Sequence, residues 1–350
     1  MGSLVIGLGA DRAIGLDKRA LVVAEIGQNH NGRLSLAEQL VDAAAWAGVD
    51  AVKLVKRDLD CELSREAARQ RYSGPKAFGP TYGEHRRALE LSAEEHRTLC
   101  RRIRARGLAL IYTACDVPSA KLALELQTDG LKVASRDVAQ LPLIEFLGST
   151  GRPVFLSTGM SDLSEIDAAV SVLREAASPM VLLQCTSLYP TPMAQAHLRS
   201  MATLASRYES LVGFSDHTLG SLLAPVAVAM GARVIEKHMT LDRQMKGTDH
   251  ACSLEPEEFS RMIADIRQVE TALGSREKPV SREVEDVRRK LGRSLVTRWP
   301  LAAGTRIEES MLTLKCPGDG IGWAEREGVL GLKLKRDLPA NVKLNLSDVT

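Results

Sequence analysis

Two lysines, Lys53 and Lys132, stand inside apolar runs (Ala51 to Val55 and Leu131 to Ser135), where an ammonium group is costly to bury unless an anion meets it. Such a pair suits a phosphate or carboxylate ligand, with Thr113, Ser135 and Ser157 supplying hydroxyl donors beside the two point charges. The alternative is a pair of internal salt bridges with Glu25 and Glu236. Lys132 admits a third chemistry, since a desolvated lysine on an enclosed strand can form a Schiff base, as in class I aldolases. His217 and His238 end two apolar runs at matching positions, which suits two imidazoles holding one divalent cation, with Glu25 opposite. His250 reads as loop structure and Asp249 as a candidate substrate contact.

Positioning these groups requires a repeating frame. Runs rich in Val, Ile and Leu recur at Val22 to Ile26, Ala51 to Val55, Leu108 to Ala114, Leu131 to Ser135, Pro153 to Thr158, Met180 to Cys185, Leu211 to Ser215 and Arg233 to His238. Most are apolar throughout, as strands of a parallel sheet covered by helices must be, and each is followed by a segment of helical period. Ser92-Ala-Glu-Glu95 reads as a capping box, Asp162 and Pro256 open further helices, and Gly48, Gly107 and Gly231 stand where helices stop. Eight strand-helix units over roughly 250 residues predict an α/β fold, a (β/α)8 TIM barrel; a doubly wound open sheet is the alternative. In such a barrel the active site lies where the strands end. Glu25, Lys53, Thr113, Lys132 with Ser135, Ser157, Gln184 with Tyr189 beyond it, Ser215 with His217, and Glu236 with His238 all fall there.

The stretch of about thirty-five residues from Lys56 to Leu91 is long for a strand-helix connection, and its turn residues and aromatics predict an ordered lid over the barrel mouth. After Leu273-Gly274 the pattern changes. The expected domains are a barrel over 1–275, a linker over 276–292 carrying the charge run Arg282 to Lys290, and a small, mostly-β C-terminal module over 293–350. So small a module has a thin core and is expected to lean on the barrel or on another subunit.

Composition bounds the function. The 350 residues are 45% hydrophobic, enough for a full core, and 46 Lys plus Arg against 44 Asp plus Glu leave no basic field for nucleic acid. Aromatics at 4% make a poor stacking platform for single strands. No run reaches the ~18 apolar residues of a membrane span, and no signal peptide is evident, so a cytoplasmic location is expected. Six scattered cysteines fit a reducing compartment and neither disulfide staples nor a structural zinc site.

The run Ala24-Glu-Ile-Gly-Gln-Asn-His-Asn-Gly32 resembles the opening signature of the sialic acid synthase family. Lys132-Val-Ala-Ser135, Leu156-Ser-Thr-Gly-Met160, Gln184-Cys-Thr-Ser-Leu-Tyr-Pro190, Phe214-Ser-Asp-His-Thr218, Val234-Ile-Glu-Lys-His238 and Asp249-His-Ala-Cys-Ser-Leu-Glu-Pro256 resemble further family motifs in family order, and the segment from Arg293 is similar to the antifreeze-like domain that ends those synthases. The resemblance implies condensation of phosphoenolpyruvate with an N-acylmannosamine, or its 6-phosphate, to a nine-carbon keto sugar acid and phosphate, with manganese or magnesium as the metal. It assigns the donor to Lys53, Thr113, Lys132, Ser135, Ser157 and Gln184, and the metal to His217 and His238. Glu25 is then the acid near metal and sugar, with Glu236 in reserve, and Tyr189, Ser215 and Asp249 are sugar contacts. It also implies a domain-exchanged homodimer.

Departures fall on the acceptor side. Val55 stands where glutamine is common, Cys316 precedes Pro317-Gly318 where bacterial synthases carry arginine, Lys76 stands where a subgroup has asparagine, and Arg136 where glycine is usual. Gln28, Thr81-Tyr-Gly-Glu-His85 and Lys246-Gly-Thr-Asp-His250 resemble the animal 9-phosphate synthases, so Lys76 and Arg136 are candidates to meet a sugar phosphate. A class I aldolase using Lys132 and a carbohydrate-binding relative without turnover are the competing functions.

Overall fold

The computed structural model describes residues 4–275 and 277–350 as two units, Met1–Gly274 and Ser275–Thr350. Residues 1–3 of the expected barrel domain and Arg276 of the expected linker lie outside the described residues. The first unit opens with an antiparallel hairpin, β1 (Val5–Leu8) and β2 (Arg12–Gly15), in which Val5 pairs with Gly15. Eight parallel strands follow: β3 (Leu21–Gly27), β4 (Ala51–Lys56), β5 (Ala109–Ala114), β6 (Gly130–Val133), β7 (Val154–Ser157), β8 (Met180–Cys185), β9 (Leu211–Asp216) and β10 (Val234–His238). They close into a barrel in which β10 returns to pair with β3. This is the expected (β/α)8 TIM barrel.

Helix α1 (Leu34–Ala47) connects β3 to β4. The β4 to β5 connection holds three short helices, α2 (Leu59–Glu62), α3 (Arg65–Arg69) and α4 (Tyr82–Arg87), before the sheet-covering α5 (Ala93–Ala105). Then α6 (Val117–Glu125), α7 (Leu141–Gly148), α8 (Leu163–Glu175), α9 (Ser200–Tyr208), α10 (Leu223–Ala229) and α11 (Pro256–Leu273) follow β5 to β10 in turn. Capping boxes join Ser92 to Glu95 and Asp162 to Glu165, and Gly48, Gly107 and Gly231 stop their helices at φ of 86°, 69° and 105°.

Alternation along the strands sorts the side chains. One set packs outward on the helices; the other, including Val23, Ala51, Ile111, Phe155, Leu183 and Val234, fills the barrel. Two residues further along the same face come Glu25, Lys53, Thr113, Ser157, Cys185 and Glu236, so the apolar filling of the interior gives way to polar groups toward the strand ends. The filling leaves no space at Gly213, where a Cβ would lie 2.5 Å from the Val234 carbonyl oxygen and 2.6 Å from Leu183 Cδ2.

The sequence reading misses the hairpin, whose strands are only four residues long and show no long alternation. Its Ile6, Leu8 and Ile14 join the interior cluster beside Gly130, at the start of β6, so it sits at the end of the barrel away from the polar groups. A second correction concerns Ser135: β6 ends at Val133, and Ser135 opens a short 3-10 turn.

The second unit contains α12 (Arg282–Leu291), an antiparallel pair β11 (Ser294–Thr297) and β12 (Leu312–Lys315), and turns joined by isolated bridges. Leu295, Leu312, Ile321, Leu334, Leu338 and Leu344 form its small core. No side chain of α12 is buried, in keeping with its charge run.

Two buried imidazoles couple the barrel's stability to pH. Burial pushes His96 down to about 3, and Lys56 and His30 act in the same direction; burial likewise pushes His30 down to about 4. His96 Nδ1 lies 2.7 Å from the Tyr112 hydroxyl. An unfolded chain takes up protons on these rings as pH falls through about 6.5, and the folded chain does not. The stability they contribute is therefore complete above about 6.5 and lost progressively toward about 4. Urea midpoints are expected to fall from pH 7.5 to pH 5, and His96→Leu to reduce that dependence while lowering stability at pH 7.5; an unchanged slope refutes this account.

Candidate active site

The strand ends and the lid enclose a cavity of about 540 Å³. Inside it runs an alternating row of charges. Lys53 Nζ lies 2.7 Å from Glu25 Oε2 and 3.7 Å from Glu236 Oε1, and it donates to Thr113 Oγ1 at 2.9 Å. Lys132 Nζ donates to both oxygens of Glu236 at 2.9 and 2.7 Å, and Ser215 Oγ donates to Glu236 Oε1 at 2.9 Å. The internal salt bridges weighed from sequence are thus present, and all four residues also line the cavity. Pairing resolves the cost of burying the ammonium groups and leaves them where a ligand can reach them.

The two carboxyls differ in acidity. Burial raises Glu25 to about 7, and the neighbouring Glu236 charge adds to the rise against the pull of Lys53. Burial also pushes Glu236 upward, but Lys132 and Lys53 outweigh it and hold that carboxyl below the usual carboxylate range. One of the pair can therefore carry a proton near neutrality while the other stays ionised, the pattern of an acid and a charge stabiliser. Lys132 is shifted down by burial, with the Lys53 charge contributing.

Ser157 and His238 each bring to the cavity a buried polar atom without a hydrogen-bond partner. Ser157 Oγ has none, and Gly159 N donates to Ser135 Oγ at 3.0 Å close by. Across the mouth, the His217 and His238 ring centroids lie 5.3 Å apart, and Tyr189 packs 4.1 Å from the His217 ring. His217 Nδ1 lies 3.0 Å from the Thr186 carbonyl oxygen, which fixes the proton there and leaves Nε2 as a lone-pair donor. His238 Nδ1 is buried without a partner, and burial holds that ring neutral, near 4. Two imidazoles that each keep a ring nitrogen free of protein partners fit a divalent cation. Among the described residues no three His, Cys, Asp or Glu side chains converge on one point.

Twelve of the residues expected from sequence line this cavity: Glu25, Lys53, Lys132, Glu236, Thr113, Ser135, Ser157, Tyr189, Ser215, Asp249, His217 and His238. Gln184 does not, which corrects the sequence reading. Alternation on β8 turns Cys185 inward and Gln184 outward, where its amide donates to the Ala196 carbonyl at 3.1 Å. Strand-end position alone cannot separate the two; counting from Val181 and Leu183 does. The sequence reading also misses Arg57, His85 and Arg86, although His85 lies in a quoted motif. They belong to the lid, whose Tyr72 and His85 rings pack 4.4 Å apart.

The sequence matches the NeuB family over residues 40–278. Over 336 residues it is 36% identical to the N,N'-diacetyllegionaminic acid synthase of Legionella pneumophila, covering 94% of each chain. The chain belongs to the NeuB family. It is an enzyme, as the synthases among its relatives are. The N-acetylneuraminate-9-phosphate synthase of Mus musculus is 33% identical over 305 residues, covering 87% of this chain and 85% of that one. Among solved NeuB-like structures, the N-acetylneuraminic acid (sialic acid) synthetase of Leptospira borgpetersenii, in complex with citrate, aligns with a TM-score of 0.72 at 33% identity, over 81% of this chain and 95% of that chain. The resemblance carried by the sequence motifs is therefore a family membership, and NeuB relatives include products named with and without a phosphate.

The charge row predicts an asymmetric mutational response. Glu236→Gln leaves Lys132 buried without its carboxylate and is expected to cost about 3–5 kcal/mol in urea unfolding. Replacing both with methionine is expected to recover most of that loss. A Glu236→Gln protein as stable as the parent would show that the row is not buried as described.

Proposed function

We propose that this NeuB enzyme condenses phosphoenolpyruvate with an N-acylated amino sugar, yielding a nonulosonic acid and inorganic phosphate. The observation that carries the reading is the convergence in one cavity of Lys53, Lys132 and the unpartnered Ser157 hydroxyl with the paired imidazoles of His217 and His238. The first three, with Thr113 and Ser135, suit the phosphate and carboxylate of the donor. Tyr189, Ser215 and Asp249 are assigned to the sugar.

In the proposed reaction C3 of the enol phosphate forms a bond to the open-chain aldehyde carbon, whose oxygen takes a proton. Water adds at C2, and cleavage of the bond from C2 to the phosphate oxygen releases inorganic phosphate and leaves the keto acid. A divalent cation, manganese or magnesium, held by His217 and His238 would supply Lewis-acid polarisation of the aldehyde. Glu25 is assigned the proton transfers at the sugar oxygen and the attacking water, with Glu236 in reserve. Lys132 and Lys53 hold the departing phosphate in place by preorganised charge. The charge row also opposes a Schiff base, because Lys132 Nζ donates to both oxygens of Glu236 and would have to give up both contacts to attack a carbonyl.

The assembly proposed is a homodimer whose antifreeze-like C-terminal domains are exchanged, with Cys316 replacing the arginine found there in bacterial synthases; it rests on the sequence resemblance. The expected domain limits, 1–275, 276–292 and 293–350, belong to the same proposal. No helix among the described residues is long and apolar enough to cross a membrane, and a cytoplasmic site of action is proposed.

Phosphate release from phosphoenolpyruvate is expected only when an N-acylhexosamine acceptor and a divalent metal are both present, and EDTA is expected to stop it. Lys132→Ala is expected to lower kcat by about 10²–10³, and replacing His217 and His238 by alanine to abolish the manganese response. Borohydride trapping of pyruvate on Lys132 would establish the aldolase instead, and sugar binding without phosphate release would establish a binding protein.

A further inference from the structure

The cavity has a second set of cations, placed differently from the first. Arg57, Arg86 and Arg136 line its lid side, and on charge alone they look like a second phosphate site. Each already has a carboxylate partner, although Glu90 is shared with Lys56 and Glu62 serves two arginines. Arg57 Nε donates to Glu90 Oε1 at 2.6 Å. Arg86 Nη2 and Arg136 Nη2 both reach the same oxygen of Glu62, at 2.8 and 3.1 Å, and Arg136 Nε also lies 3.7 Å from Asp137 Oδ1. Glu62 is carried by the lid helix α2, its side chain is only 14% exposed, and its other oxygen, Oε2, is buried with no partner.

We propose that the acceptor is an uncharged N-acyl amino sugar and that Glu62 is the specificity-determining residue that excludes its phosphate ester. The inference rests on the condensation reading above. A phosphate dianion brought to Arg86 and Arg136 must share them with a partly buried carboxylate whose free oxygen has no hydrogen-bond partner, and like charges held together in a cavity oppose binding. A neutral hydroxyl or acyl group accepts a hydrogen bond from the same guanidinium groups without that repulsion. The cation left on this side is Lys76, which is exposed, makes no ion pair among the described residues and is screened by salt. Val55, which lines the same cavity, offers a sugar contact but no hydrogen bond. The deep end differs, because there the unpartnered Ser157 Oγ lines the same cavity as Lys132 and suits the anionic donor.

The test measures phosphate release from phosphoenolpyruvate by the full-length enzyme with manganese. The acceptors are N-acyl- and N,N'-diacyl-aminohexoses and the matching 6-phosphates. The parent enzyme is expected to favour neutral acceptors in kcat/KM by about tenfold or more, and Glu62→Gln to shrink that preference by about tenfold through the KM of the phosphorylated sugar, the weight of one charge-assisted contact. The preference of the parent enzyme needs no variant to fold, and a parent that favours the 6-phosphate overturns the proposal while leaving the condensation intact. A parent that favours neutral sugars with a Glu62→Gln ratio unchanged, in a variant of parental thermal stability, overturns the role of Glu62. Absence of release with every acceptor overturns the condensation reading and the proposal with it.

Discussion

Everything in the cavity depends on the buried row Glu25, Lys53, Glu236, Lys132. An ammonium group inside a barrel is tolerable only beside a carboxylate, and a buried carboxylate only beside a cation, so each member fixes the next. The row spans strands that are not all neighbours: β3 and β4 adjoin, β10 closes on β3, and β6 lies across the interior. Its geometry therefore requires closure of the barrel, and the closed barrel in turn holds two carboxyls of unlike acidity within one site.

The lid extends the same logic outward. Glu62 joins Arg86 of α4 to Arg136 beside Ser135, so a short helix with no buried residue of its own is tied by charge to the rim of the site. Aromatic packing of Tyr72 on His85, and Lys246 Nζ 4.7 Å from the centre of the Phe78 ring, order a connection that has little apolar surface to bury. Neither pairing appears in a periodic pattern. That is why sequence reading locates an ordered lid but cannot find its arginines in the cavity.

Much of the barrel was legible because a parallel strand buried on both faces must be apolar throughout, and a lysine or glutamate interrupting such a run is conspicuous. Lys53, Lys132 and Glu236 declared themselves in that way. Gln184 misled because it too is polar at a strand end, yet its hydrogen bond to the Ala196 carbonyl is a structural need met outside the barrel. The hairpin escaped notice because its four-residue strands take their meaning from the interior they cover. Contacts made across long sequence separations leave no local signature, and both the hairpin and the lid are built from them.

That hairpin has a consequence for the order of events. With Ile6, Leu8 and Ile14 packed among the interior side chains at the far end, and apolar filling below the charge row, traffic passes through one doorway. On the proposed chemistry the enol phosphate occupies the inner berth and the sugar the outer one. On that arrangement the first guest would have to arrive before the second blocks the corridor and could retreat only after the second has gone, which amounts to compulsory-order, sequential kinetics.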